Sequence, residues 1–519
     1  MTRDQATKLF RAAPLSLALI LIIAFFTRLK YALSLGTLVY SGDEIAYMDA
    51  SFRIVFRALD YGVFYHGPLY FYMESFLFSC LFSAGKILGW FKDSIDFIVF
   101  YLENAGVFYS IGRITAAVFN VATIYLIFRL GTYLWNKKTG LLAALAYALI
   151  PMAFLIGTQA SMYATTDFFI VLSAFYGLRL IKKSELRDII KAGVAFGLAL
   201  SADYYALLLV PLYITVFSHL DHGKQKTVAL SRALLVFLAL SLSIFIVANP
   251  LFILRPGIAW QGISDQIHAA FYSEWGRPHD LLYYARCLST PPYFFLSVFF
   301  AVGACLAIKK RRPREIAIAL FPLLNILLFS FSKVQLDLYL VHALPFIVLT
   351  GSRAATMVFR LRKLNLFTLL LIFFVHAFFC MQGRAPRFYN ESASIAKEWF
   401  QKYVPRGSAV LINPGVIPFG QSRLSQIVQD EKLYASVLER YLQKHPEENY
   451  EFWTWNLLKE SIRLIEDKKI RYLILPERDY DQEGKAWLSQ NALLLKAFGK
   501  RKNGTWRIRI YEVIKRAGL

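Results

Sequence analysis

Two adjacent carboxylates, Asp43 and Glu44, stand in the stretch YSGDEIAYMD (40–49), just after the chain's first apolar run. Ionised side chains where an apolar run meets water are either solvated loop charges or the centre of a site. A carboxylate can take a proton from an attacking group, and a cation can hold an anion. Further side chains with that capacity are His66, Arg113, Asp167, Arg286 and Lys333, at or near the edges of other apolar runs. Each has a plainer reading. For Asp43 and Glu44 it is a solvated loop, for Asp167 a helix cap and for His66 an interfacial side chain; Arg113 reads as a snorkelling anchor and Lys333 as a charge at a helix end.

The elements that must position these groups are set by composition. Of 519 residues 57% are hydrophobic and 18% charged, with mean hydropathy +0.45, a balance that places the chain among polytopic membrane proteins. Apolar runs near 14–27, 106–134, 140–158, 162–181, 188–202, 204–218, 231–249, 291–308, 315–332, 336–351 and 364–380 read as about eleven spans. The first run lacks a small-residue cleavage site and ends in FFTRLKY, which favours an anchor over a signal peptide. Cys80, Cys287, Cys305 and Cys380 show neither disulfide nor zinc spacing.

The net charge of +23 gathers in short linkers rather than in a nucleic-acid-binding stripe with stacking aromatics. Lys137 and Lys138, Lys182 to Arg187, Lys224 and Lys226, KKRRPR at 309–314, and Arg353 to Lys363 fall at alternate turns, so all can lie in the cytoplasm. That puts the N-terminus inside. The run HGPLYFYMESFLFSCLFSAGKILGW (66–90) would reverse every later linker if it crossed, so it is expected at the outer interface. Asp43, Glu44, Asp60 and His66 then share one external loop, 28–105, and a second external loop covers 250–290. In that second loop His279 and Asp280 are a weak metal or acceptor signal, and a structural role is preferred.

SGDE after the first span, HGPLYFY some twenty residues later, GRITAAVFNVATIYLIFRLGTYLWNKKTGLLAALAYALIP, SMYATTDFF and SKVQLDLYLVHALPF (332–346) together resemble the polyprenyl-phosphate-dependent glycosyltransferases of the GT-C class. Within that class the chain looks like the protein O-mannosyltransferases and the bacterial aminoarabinose transferases that modify lipid A. The likeness covers roughly residues 38–350. It departs at His66-Gly67-Pro68-Leu69, where the class has a basic or His residue followed by Pro-Pro-Leu.

The resemblance implies transfer of a sugar from a polyprenyl-phosphate carrier to an extracytoplasmic acceptor with inversion. It places the acid groups at Asp43, Glu44 and Asp167 and the leaving-phosphate partners at His66, Arg113, Arg286 and Lys333. Whether a divalent metal ion assists the leaving phosphate stays open, and no other cofactor is implied. A transporter or flippase of lipid-linked sugars is the alternative, but no internal repeat supports it. Residues 1–381 are therefore expected to form an all-α polytopic GT-C-like domain in the plasma membrane. Residues 382–519, where helix-like ESASIAKEWFQKYV, YASVLERYLQKH and LLKESIRLIEDKKI alternate with β-rich SAVLIN, RYLILP and WRIRIYEVI, are expected to form an extracytoplasmic α/β domain.

Overall fold

A computed structural model describes residues 3–39, 42–56, 62, 64, 66–181, 185–219, 226–272, 280–290, 293–362, 391–412, 423–424, 427–428, 430–454, 464–465, 467–476, 482–498 and 508–514. In chain order, α1 (Arg3–Ser34), α2 (Gly42–Phe56), α3 (Leu69–Ile87), α4 (Ser94–Glu103) and α5 (Ala105–Leu134) precede α6 (Lys137–Leu149) and α7 (Pro151–Ile156). Next come α8 (Tyr163–Leu180), α9 (Leu186–Ala202), a 3-10 helix (Tyr204–Leu209) leading into α10 (Val210–Ser218), and α11 (Lys226–Ala248). Short helices α12 (Leu251–Leu254), α13 (Pro256–Tyr272) and α14 (Tyr283–Leu288) are followed by α15 (Phe294–Lys309) and α16 (Pro313–Ser330). A second 3-10 helix (Asp337–Ala343) opens α17 (Leu344–Arg362). The rest comprises α18 (Glu391–Tyr403), β1 (Ala409–Ile412), α19 (Glu431–Lys444), β2 (Glu451–Thr454), β3 (Tyr472–Pro476), α20 (Gln482–Asn491), β4 (Ala492–Phe498) and β5 (Ile508–Val513).

The chain divides into two compact units. The first holds Met1–Ser34, Leu59–Met73 and Arg113–Arg384. Its helices end where the sequence breaks them. Asn136 caps α6 by accepting from the Thr139 N–H at 3.0 Å, and Pro151, lacking an N–H, ends one helix and starts the next. Asp203 accepts from the Tyr205 N–H and opens the first 3-10 helix. Close approach of α9 and α11 depends on small residues: the Ser241 hydroxyl donates to the Gly193 carbonyl at 3.1 Å.

Each expected span between residues 14 and 351 falls on helix, those at 140–158, 204–218 and 336–351 on two elements each; the expected span at 364–380 lies outside the described residues. Among the described residues only five helices are long and apolar enough to cross a membrane by length and composition: Leu15–Ser34, Ala105–Leu134, Ser231–Ala248, Pro313–Ser330 and Asp337–Phe359. The shortfall has a physical cause. Helix α9 has 17 residues, α6 and α7 are interrupted, and α10 is preceded by a tighter turn.

The second unit holds Leu35–Ala58, Glu74–Gly112 and Ala385–Leu519. Its sheet has the order β2-β1-β3-β5-β4, with β1 parallel to β2 and β3, and β5 antiparallel to β3 and β4. Strand alternation sends Val410 and Ile412 against Phe400 of α18, and Leu411 and Leu473 against Leu488 of α20, so the sheet is covered on both faces. The runs SAVLIN, RYLILP and WRIRIYEVI contain β1, β3 and β5, whereas β2 and β4 were not anticipated. In the same unit α2, α3 and α4 share an aromatic core in which Phe52 stacks on Tyr101 at 3.9 Å and packs against Phe78 and Phe97.

Candidate active site

The paired carboxylates occupy the first turn of α2, where the positive end of the helix dipole favours acidic residues. Asp43 is exposed, while Glu44, its neighbour in the same turn, is fully buried. The same helix is held further along by a buried cluster. Asp49 accepts from the Tyr101 hydroxyl at 2.6 Å and pairs with Arg423, whose guanidinium also lies over the Tyr101 ring. Burial works against the Arg423 charge, but the Asp49 carboxylate outweighs it and raises the guanidinium's pKa well above its ordinary value. A second contact joins α19 to α4, where Arg440 reaches Asp93 at 2.9 Å and Asp96 at 2.7 Å.

In the other unit, Asp167 is not a cap. It sits within α8, whose N-cap position is Met162, and is fully buried. Both its oxygens are engaged: Oδ2 accepts from the Tyr147 hydroxyl at 2.7 Å, and Oδ1 faces His342 Nδ1 at 2.7 Å. Asn120 faces the same tyrosine hydroxyl, and its Oδ1 accepts from Arg28 Nε at 2.7 Å. Arg28 also donates to the Ala148 carbonyl, and Asn120 to that of Ala153, so this polar chain grips the broken segment between α6 and α8. Five elements thus contribute Arg28, Asn120, Tyr147, Asp167 and His342, all buried.

His66 is likewise buried, its Nδ1 3.4 Å from Asp203 Oδ2. Gly67 beside it allows this approach, because a Cβ there would run into the Ser201 carbonyl. Tyr205 links the two imidazole–carboxylate pairs. Its backbone N–H is held by Asp203, and its ring lies 5.4 Å from that of His342. Arg113 is fully buried in α5 and Lys333 is exposed in the turn after α16. Arg286 is exposed and paired with Asp280, which also exchanges hydrogen bonds with Gln335. His279 lies outside the described residues, and among those described no group of three or more His, Cys, Asp or Glu gathers to hold a metal ion.

Of the residues expected at a site, Asp43 and Glu44 fall in one unit and Asp167, His66, Arg113, Arg286 and Lys333 in the other. His342, Tyr147, Asn120, Asp203 and Arg423 were not singled out by role. For His342 and Asn120 a signal existed, since a polar side chain inside an apolar run is a functional hypothesis by default.

Residues 102–248 match the dolichyl-phosphate-mannose-protein mannosyltransferase family. No curated protein sequence matches the chain. The fold is similar to that of ArnT from Cupriavidus metallidurans bound to undecaprenyl phosphate, with TM-score 0.57 and 11% identity over 97% of this chain and 98% of that one. The apo state of the same protein gives TM-score 0.55 and 12% identity over the same shares, 97% and 98%. At a lower score, the apo oligosaccharyltransferase of Archaeoglobus fulgidus gives TM-score 0.44 and 12% identity over 89% of this chain and 69% of that one. Sequence over its middle part and fold over nearly its whole length make this chain one that resembles the GT-C glycosyltransferases.

Proposed function

We propose that the chain is a multi-pass membrane glycosyltransferase that moves a sugar from a polyprenyl-phosphate carrier to an extracytoplasmic acceptor. The observation that carries this is the division of labour at the start of α2, an exposed Asp43 next to a fully buried Glu44, in a chain with the likenesses described above. Asp43 takes the proton as an acceptor hydroxyl or amine attacks the anomeric carbon. The new bond forms on the face opposite the carbon–phosphate-oxygen bond that breaks, so configuration inverts. Negative charge then builds on the departing polyprenyl phosphate, where His66, Arg113 and Lys333 are assigned as its partners. Arg286, already paired with Asp280, has the weaker claim. Asp167 is a buried anchor of the polar chain rather than a second base.

Eleven spans, a cytoplasmic N-terminus and an extracytoplasmic domain at 382–519 belong to the same reading. The test is a mixture of purified protein, a polyprenyl-phosphate sugar and candidate acceptors. Free polyprenyl phosphate should appear in step with glycosylated acceptor, whereas a flippase would move the lipid intact. Absence of free polyprenyl phosphate with every donor that copurifies with the protein would refute the assignment.

A further inference from the structure

We infer that His342 Nε2 is a binding group for a phosphate oxygen of the lipid donor. The inference rests on the transferase reading and adds to it a residue that no spacing in the sequence singled out. Its starting point is a vacancy in the bonding of a buried ring. His342 is 1% exposed and its Nδ1 is committed to Asp167, yet its Nε2 has no hydrogen-bond partner among the described residues. Buried polar atoms are almost always paired, and each exception calls for an explanation, a bound group being one.

The surroundings say which nitrogen is offered and why the carboxylate behind it is not. Asp167 cannot turn toward a ligand without releasing the Tyr147 hydroxyl, which is itself engaged in the chain running back to Arg28. The chain therefore ends on Nε2, with the ring held in one orientation by the bond to its other nitrogen. Tyr163 and Tyr205 flank the ring at 6.1 and 5.4 Å. Both 3-10 helices meet at this point, and irregular backbone within apolar spans is tolerated where it is enclosed by protein or lines a site.

An anion is the occupant that suits such a ring. An imidazole with a carboxylate on one nitrogen and a phosphate oxygen on the other is favoured in its charged form and donates from both nitrogens.

The test uses the full chain in lipid nanodiscs, with undecaprenyl phosphate as probe and undecaprenol, which lacks the phosphate, as control. The amide of Asn reaches where Nδ1 stands and that of Gln where Nε2 stands. His342→Asn should keep the hydrogen bond to Asp167 and delete the Nε2 contact. It should bind undecaprenyl phosphate roughly tenfold or more weakly than the wild type, the scale of a charge-assisted hydrogen bond. Undecaprenol binding should not change. Comparison of His342→Gln with His342→Leu, both of which release Asp167, examines the same atom without relying on the Asn protein's folding. The Gln protein should retain more of the wild-type preference for the phosphate than the Leu protein. Wild-type affinity in the Asn protein, or equal preference in the Gln and Leu proteins, would show that Nε2 meets no phosphate. A wild-type protein that binds undecaprenol and undecaprenyl phosphate alike would overturn the transferase reading itself, and this inference with it.

Discussion

At the scale of single residues, the exposed acid and the buried acid of α2 make opposite predictions. Asp43→Asn, which keeps shape and removes the base, should leave binding of polyprenyl-phosphate sugar intact and cut turnover by roughly 10²- to 10⁴-fold, the usual share of a general base. Glu44→Gln should cost less turnover and should lower the unfolding temperature, because Glu44 is buried. Near-normal turnover in a folded, donor-binding Asp43→Asn protein would move the base elsewhere. Tyr147→Phe removes one partner of a buried carboxylate and should destabilise by about 1–3 kcal/mol. An unchanged unfolding midpoint in detergent would mean that Asp167 finds another donor. Asp43 and Glu44 stood out as candidates because two charges stand together at the end of an apolar run. The polar chain was not, because its bonds join residues 20, 92 and 175 apart in sequence, and no local pattern encodes such pairs.

Elements were legible where one period dominates. Apolar runs gave the helices of the first unit, and β-rich runs gave β1, β3 and β5. Strand β4, ALLLKAF, is made of residues that favour helix, and only its pairing with β5 decides its state. Packing between elements yields two tests. A Cβ on Gly197 would lie 2.6 Å from the Ser241 carbonyl oxygen and 2.8 Å from Ile244 Cβ, while one on Gly257 would meet nothing within 4 Å. Gly197→Ala should therefore destabilise the first unit by about 1–3 kcal/mol through overpacking, and Gly257→Ala should not; equal melting of the two proteins would contradict the close α9–α11 approach. In the second unit, the Asp93 carboxyl is held below its usual range, first by the Asp96 N–H, against an opposing effect of burial, and then by Arg440. A folded-state pKa below the unfolded one stabilises fully above the unfolded value of about 3.9 and fades as pH falls through the folded value. Hydrogen exchange of α19 should thus be faster in Asp93→Asn than in wild type at pH 6, with the gap closing below about pH 4. The gap should be modest, because Asp93 is 44% exposed and Arg440 half-exposed. A gap that persists at low pH would assign the effect to something other than the carboxylate's charge.

For the whole molecule, the net charge of +23 is an argument about sidedness. In the proposed eleven-span arrangement the clustered basic linkers fall at alternate turns and would lie on the cytoplasmic face, since Lys and Arg near the ends of spans resist translocation. Length alone gives a weaker answer, because only five described helices are long and apolar enough to cross unaided. The two criteria part at α6 to α10. There breaks and short helices lower the apolar length, and the same region carries Tyr147, Asp167 and Asp203. The buried polar side chains in this region lower its apolar length, so hydropathy and the charge pattern give different counts there. Labelling can decide. In a background without Cys80, Cys287, Cys305 and Cys380, a cysteine placed at Lys138, exposed in the first turn of α6, should resist a membrane-impermeant maleimide added from outside. A cysteine at Lys402, exposed near the end of α18, should react, and both should react after the membrane is opened. Labelling of Lys138→Cys from outside would reverse the face of every basic linker and take the eleven-span arrangement with it. Protection of Lys402→Cys alone would leave those linkers in place. It would instead put residues 382–519 on the cytoplasmic side, away from any acceptor that approaches from outside.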